Sequence, residues 1–204
     1  MFKPYLPKNP VIIDCGAHMG TDSIELHKIF PGAYIHSFEP VPVIFDKLCQ
    51  KTKPYKNIFT YNLALSNKDE STKMFVSSSG SDGSSSLLAP KTHLQDHPAV
   101  LFNEVIEINT KKLDTWAEEH NIDRVDFLWL DMQGFEYQML FASHKILPTV
   151  KVIHTEVSLK ETYEGVLIYP LFKKWLEEHG FIVIKEMIPE GTDMGNVVFV
   201  RKNS

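Results

Sequence analysis

Short apolar runs and helical stripes alternate from the start of the chain. Residues 11–14, VIID, form an apolar run that ends in a turn, as in a strand buried on both faces. In TDSIELHKIF, residues 21–30, Ile24, Leu26 and Ile29 recur at helical spacing, and Thr21 and Asp22 are placed to cap the start. The alternation repeats with AYIHSFEP (33–40) as a strand closed by Pro40 and FDKLCQKT (45–52) as a helix. NIFTYNLALS (57–66) follows as a third strand, with KMFV (73–76) as a short extra one. Further on, EVIEINT (104–110) alternates like a strand, and LDTWAEEH (113–120) is an amphipathic helix opened by Asp114 and closed near Asn121. VDFLWLDM (125–132) is the strongest buried strand. A helix near FEYQMLFAS (135–143), a strand over VKVIHTEV (150–157) and a helix over LFKKWLEEHG (171–180), with Gly180 at its cap, come next. FIVIKE (181–186) and GNVVFVR (195–201) are joined by a loop without a helix, so they pair as an antiparallel hairpin. Strands and helices alternating at this spacing predict an α/β, doubly wound, mostly parallel sheet with right-handed crossovers, ending in that C-terminal hairpin.

The regularity breaks at Ser77, where SSSGSDGSSS (77–86) packs seven serines, two glycines and an aspartate into one stretch. Such a composition builds no core, so 77–98 is expected to be a mobile surface loop, either a linker or a lid over the site. The segment from Pro90 to Pro98, with His93 and His97, is assigned no element. No internal repeat beyond the strand–helix alternation is found, and 1–204 is expected to be a single domain.

Composition narrows the function classes. The 204 residues suit one domain with its own core, and 43% hydrophobic with 23% charged residues is ordinary globular usage. Lys and Arg total 21 against 26 Asp and Glu, a net charge of -5, and there is no basic stripe, which argues against tight binding to nucleic acid. The N-terminus MFKPYLPKNP has no signal-peptide run, and no stretch reaches the roughly 18 apolar residues of a membrane span. A cytoplasmic protein that does not engage a membrane is expected; oligomeric state leaves no mark on the sequence. Cys15 and Cys49 are too few for a disulfide scaffold and read as reduced structural thiols.

The stretch VIIDCGAHMG (11–20) carries the first chemical signal. A dinucleotide-binding turn is G-x-G-x-x-G, with a middle glycine that lets the backbone approach a pyrophosphate. Here Gly16 is followed two positions later by His18, and the next glycine is Gly20. A side chain stands where the pyrophosphate would press, and Asp14 adds a carboxylate at the strand end. The turn suits a ligand with an amine and a sulfonium better than one with two phosphates. Glu39, at the end of the second strand, is placed to accept hydrogen bonds from ribose hydroxyls, which argues for adenosine whatever its tail. His18 has an equally weighted alternative as a loop residue that only fills space.

VIIDCGAHMG, FEP (38–40), NLALS (62–66), SSL (85–87), LDMQGFE (130–136), HTEVS (154–158) and GNVVFVR (195–201), in that order, resemble the FkbM family of class I S-adenosylmethionine-dependent methyltransferases. The resemblance covers nearly the whole chain. It implies a seven-stranded Rossmann-like sheet, S-adenosylmethionine as cofactor across the C-terminal strand ends, and O-methylation of a hydroxyl on a sugar or other small metabolite. Carried over by residue, Asp14, Gly16 and Gly20 would hold the methionine portion, Glu39 the ribose, and Asn62 and Ala64 the adenine. Ala17, His18, Pro40, Asp131 and Gln133 complete the expected cofactor set, and Ser85 and Ser86 are the substrate or lid candidates. The family's D-x-x-G-x-E motif carries an acid or a glutamine at its third position, here Gln133.

An alcohol is a poor nucleophile until a base or a metal takes its proton. Asp131 follows the buried run VDFLWL and opens onto the strand-end crevice. Glu136 begins the next helix, where an acid also suits the helix dipole without any chemical role. His154 and Glu156 alternate to one side of their strand, with Thr155 opposite. His154 has the competing reading of a satisfied core histidine. A divalent metal is an alternative activator, but neither H-x-x-x-H nor a dense acid cluster supports one, and no metal ligand is assigned. Tyr163, Tyr169 and Trp175 read as core and are given no role. Two rival functions are an NAD(P)-dependent dehydrogenase or epimerase, which lacks its middle glycine here, and a non-catalytic binding module. RNA as acceptor is disfavoured by the acidic balance.

Overall fold

The computed structural model describes residues 1–78, 83–92 and 99–202. Two sheets are present among them. The larger has seven strands, in the order β3 (Ile58–Tyr61), β2 (Tyr34–Phe38), β1 (Val11–Cys15), β7 (Phe127–Leu130), β8 (Val152–Ser158), β10 (Met194–Arg201), β9 (Phe181–Met187). The pairs from β3 through β8 are parallel, and β10 runs antiparallel to both β8 and β9, as expected for the hairpin. The chain leaves β1 towards β2 and β3 and later returns to β7 on the other side of β1. The switch in strand order at β1 and β7 opens a crevice at their C-terminal ends.

Both faces of this sheet are covered, which is why its central strands read as continuous apolar runs. On one face Ile12, Phe127 and Val152 pack with Leu26 and Phe30 at the end of α1 (Thr21–Ile29). On the other, Ile13, Leu128, Leu130 and Ile153 pack with Trp116 of α3 (Leu113–Glu119), Met139 of α4 (Glu136–Phe141) and Phe172 of α5 (Tyr169–Glu178). A further helix, α2 (Pro42–Thr52), begins at the proline two residues after Pro40. The start of α1 differs from expectation: Gly20, with φ of 81°, precedes it, and neither Thr21 nor Asp22 forms a side-chain cap. Asp114 likewise serves a neighbour, accepting hydrogen bonds from the backbone N–H groups of Lys145 and Ile146 at 2.8 and 3.0 Å.

The second sheet is the main departure from the sequence pattern. The run 57–66 is not one strand: β3 ends at Tyr61, the chain turns at Asn62, and β4 (Ala64–Ser66) joins β6 (Leu101–Lys112) in a three-stranded sheet of order β4-β6-β5. The expected short strand at 73–76 extends to Glu70–Ser78 as β5, antiparallel to β6. Met74, Val76 and Ile108 form this sheet's buried side against Val41, Ile44 and Ala64, while Val105 and Leu101 are exposed.

Residues 79–82 of the serine-rich stretch, and His93 and His97 within 93–98, lie outside the described residues. The described part, 83–92, is bonded at both ends. Phe75 and Ser86 exchange backbone hydrogen bonds of 2.9 and 3.0 Å, and farther along the Lys91 N–H donates to the Thr162 carbonyl and the Glu164 N–H to the Ala89 carbonyl, each at 2.9 Å.

Candidate active site

The crevice above β1 and β7 is a cleft whose lining includes Gly16, Ala17, His18, Glu39, Pro40, Ala64, Ser85, Asp131 and Gln133, all expected from the sequence. Backbone geometry builds its floor. Gly16 has φ of 77°, and a Cβ there would stand 1.9 Å from the Asp131 carbonyl oxygen, so the turn after β1 rests directly on the end of β7. The N–H groups of Gly16 and Ala17 both donate to the Phe38 carbonyl, at 3.1 and 2.9 Å, which ties the same turn to β2. His18 is also left-handed, at φ of 47°, a conformation unusual for a residue with a Cβ.

Glu39 holds this turn in shape. One carboxylate oxygen accepts the His18 N–H at 3.1 Å and the other the Val41 N–H at 2.8 Å. Glu39 is at the same time one of the cleft-lining residues. Asn62 donates its amide hydrogens to the carbonyls of Glu39 and Pro40, both at 3.0 Å, so it shapes the loop beside the cleft and is not among its lining residues. Asp14 also lies behind the wall: it is buried, accepts a hydrogen bond from Ser23 at the start of α1, and burial pushes its carboxyl up to about 7. Gly20 sits beneath the turn against Leu48 and Thr52 of α2.

At the opposite wall, Asp131 stands one residue beyond Leu130 of β7, and Glu156 stands one residue beyond the paired Thr155 of β8, beside Asp131 but not among the lining residues. Gln133, left-handed at φ of 52°, reaches between them, and its amide nitrogen donates to Asp131 Oδ1 at 2.7 Å and to Glu156 Oε2 at 2.8 Å. Burial raises the proton affinity of both acids. For Glu156 the negative charges of Asp131 and Glu136 add to the effect, whereas for Asp131 the Gln133 amide opposes it. Glu136 is buried behind the D-M-Q-G turn, accepting the Met132 N–H at 2.7 Å, and burial pushes it up to about 7. It shapes the turn and does not line the cleft.

His154 shares a strand face with Glu156 as alternation required, but its ring stacks on Trp129 at 3.7 Å with Phe2 nearby, and it is not among the cleft-lining residues. Burial lowers its pKa to about 4, so the ring is neutral near pH 7. Ser85 faces the cleft, while the Ser86 hydroxyl donates to the Gln133 carbonyl at 2.8 Å and holds the left-handed turn from outside. Sequence reasoning missed Asp22, Met19, Ile44, Leu65, Met74 and Phe135 in the lining; Met19, Leu65 and Phe135 sit within the quoted motifs and Asp22 just after the glycine turn, whereas Ile44 and Met74 are brought there only by the fold. Tyr163 is buried like a core residue, yet its hydroxyl lies 2.9 Å from Gln133 Oε1. No local pattern could have found it.

The donor set fits S-adenosylmethionine. The described lining carries the carboxylates of Asp22, Glu39 and Asp131 and no Lys or Arg, which suits a cation and offers nothing to a pyrophosphate. Beyond Glu39, Ile44, Ala64, Leu65 and Met74 give an apolar wall for a purine. Among the described residues, no group of three or more His, Cys, Asp or Glu side chains is arranged to hold a metal ion. No helix among them is long and apolar enough to cross a membrane.

Comparison with known proteins agrees with this chemistry. Residues 14–183 match the methyltransferase FkbM domain. The 2-O-methyltransferase NoeI of Sinorhizobium fredii (strain NBRC 101917 / NGR234) is 29% identical over 164 residues, covering 78% of this chain and 68% of that protein. The crystal structure of a methyltransferase FkbM from Methylobacillus flagellatus KT superposes with a TM-score of 0.59 at 12% identity, covering 95% of this chain and 44% of that one. The Methanococcus jannaschii fibrillarin pre-rRNA processing protein shares the fold, with a TM-score of 0.55 at 14% identity over 98% of this chain and 70% of that one. With its seven-stranded sheet, its acid-lined cleft and a match over residues 14–183, the chain belongs to the FkbM family of S-adenosylmethionine-dependent methyltransferases.

Proposed function

We propose that this chain methylates a hydroxyl of a sugar or another small, uncharged metabolite, with Asp131 as proton acceptor and Glu156 as its supporting charge. The observation that carries this reading is the pair of carboxylates joined by the Gln133 amide, Asp131 open to the cleft and Glu156 half-buried beside it, next to a lining whose described residues include no lysine or arginine. S-Adenosylmethionine, when bound, supplies a methyl group already activated for displacement by the sulfonium. Glu39 would hold the ribose, the 16–20 turn the methionine portion, and Ile44, Ala64, Leu65 and Met74 the purine.

What remains for the protein is to position the acceptor oxygen and take its proton. Asp131 lines the cleft, and burial raises its affinity for a proton above that of an ordinary aspartate, which makes it the stronger base. Glu156, one strand over, shares the Gln133 amide with Asp131, and the charge of Asp131 adds to the effect of burial in raising its proton affinity. The name of NoeI, a 2-O-methyltransferase, supports transfer to oxygen. A phosphate-rich acceptor would meet carboxylates at Asp22, Glu39 and Asp131 with no compensating lysine or arginine among the described lining residues. The test is transfer of labelled methyl from S-adenosylmethionine to parallel panels of neutral oligosaccharides, small hydroxylated metabolites and RNA. Label in a neutral hydroxyl compound supports the proposal, and label confined to RNA refutes it.

A further inference from the structure

The Asp131–Glu156 pair is held by a neutral amide, and that amide is itself held. Both Nε2 hydrogens of Gln133 are committed, one to each acid, at 2.7 and 2.8 Å. An amide turned over by 180° would aim its oxygen at two carboxylates. On its other side, Oε1 faces the Tyr163 hydroxyl at 2.9 Å, and that hydroxyl also lies 3.0 Å from the Ser84 carbonyl. The backbone of Gln133 is fixed independently, because its left-handed turn is bonded through its carbonyl to the Ser86 hydroxyl. Gln133 is nearly buried and Tyr163 wholly so, which leaves little room for water to replace either contact.

We propose that Tyr163 is a positioning residue for methyl transfer: by donating to the Gln133 amide oxygen it fixes the two carboxylates in one hydrogen-bonded arrangement, and Ser86, which donates to the Gln133 carbonyl, completes the clamp. The assignment of a catalytic consequence rests on the proton-acceptor role given to Asp131 above, but the clamp is testable without it. Donation to an ionised carboxylate stabilises the charged form, so releasing the amide raises the proton affinity of both acids. The other charged or titratable groups acting on the pair are Asp22, His18, Asp14 and Glu136 at Asp131, and Glu136 at Glu156. None of these is altered by changes at Tyr163 or Gln133.

The experiment is a pH titration of the side-chain carboxyl carbons in the isotope-labelled, ligand-free protein, followed by nuclear magnetic resonance. Tyr163→Phe and Gln133→Leu should each move the midpoints of Asp131 and Glu156 upward by about one unit or more. Glu186, on the far edge strand and bonded to Tyr169 and Lys173, should not move comparably and serves as the internal control. In Tyr163→Phe, affinity for S-adenosylhomocysteine should stay within about threefold, reporting an intact fold. Unmoved midpoints in Tyr163→Phe overturn the clamp, and if Gln133→Leu fails to fold, Tyr163→Phe decides alone. The base assignment stands or falls separately. If Asp131→Asn retains full methyl transfer, the proton-acceptor reading fails whatever the titration shows.

Discussion

Glu39 does two jobs with one carboxylate: it accepts the His18 and Val41 N–H groups and so shapes the wall on which a ribose would rest. Replacing it by alanine removes both supports and the ligand's acceptor. Charge-assisted hydrogen bonds contribute about 1.5–3 kcal/mol, so Glu39→Ala should weaken S-adenosylmethionine binding by roughly 10- to 100-fold in a calorimetric titration. Unchanged affinity would refute the ribose assignment. Glu39 and Asp131 were legible because a polar residue ending an apolar strand has one place to go, the crevice at the strand ends. Asp14 was legible as an important acid but misplaced, because the sequence does not reveal that Ser23 and α1 lie behind β1 and take its carboxylate. His154 shows the limit of alternation, which fixes the face of a strand correctly but not the depth, and at that depth Trp129 is the partner.

The turn after β1 and the strap at 83–92 are the elements on which the cleft depends. Gly16→Ala forces a Cβ to within 1.9 Å of the Asp131 carbonyl and adds a residue poorly suited to φ of 77°. Backbone strain alone costs about 1–3 kcal/mol, so the variant should melt several degrees lower and bind the donor more weakly; a melting curve like that of the parent would contradict the contact between β1 and β7. The strap is more weakly tied. Ser86→Ala removes the bond to the Gln133 carbonyl and should cost about 1 kcal/mol in denaturant unfolding. The three-stranded sheet escaped sequence reading for a physical reason. Its strands bury one side only and expose residues such as Val105 and Leu101, so their apolar pattern is diluted, and the break at Asn62 is set by tertiary bonds to Glu39 and Pro40. The strands of the large sheet are covered on both faces and declared themselves plainly.

Buried titratable groups oppose one another across the whole molecule. Asp14 and Glu136 are pushed up to about 7, so the stability they contribute is present at low pH and lost as pH rises from their ordinary values through about 7. His36 and His154 are lowered to about 4, so their contribution is gained as pH rises from about 4 through the ordinary histidine value near 6.5. Above about pH 6.5 the acids outweigh the fading contribution of the histidines. The melting temperature of the ligand-free protein should therefore fall, by about 2–4 °C, between pH 6.5 and 8, and Glu136→Gln should reduce that fall. A melting temperature that rises over this interval would contradict the buried-acid assignment. The acids that do line the cleft, Asp22, Glu39 and Asp131, lie where the strand order switches and suit a cationic donor, to which the proposed function adds a neutral acceptor. The most direct measurement of that claim compares the parent chain with Asp131→Asn for methyl transfer to a neutral hydroxyl acceptor and for donor affinity. Loss of transfer by about 100-fold or more, well beyond any loss of donor affinity, is the predicted result. Transfer at the parent rate would contradict the account.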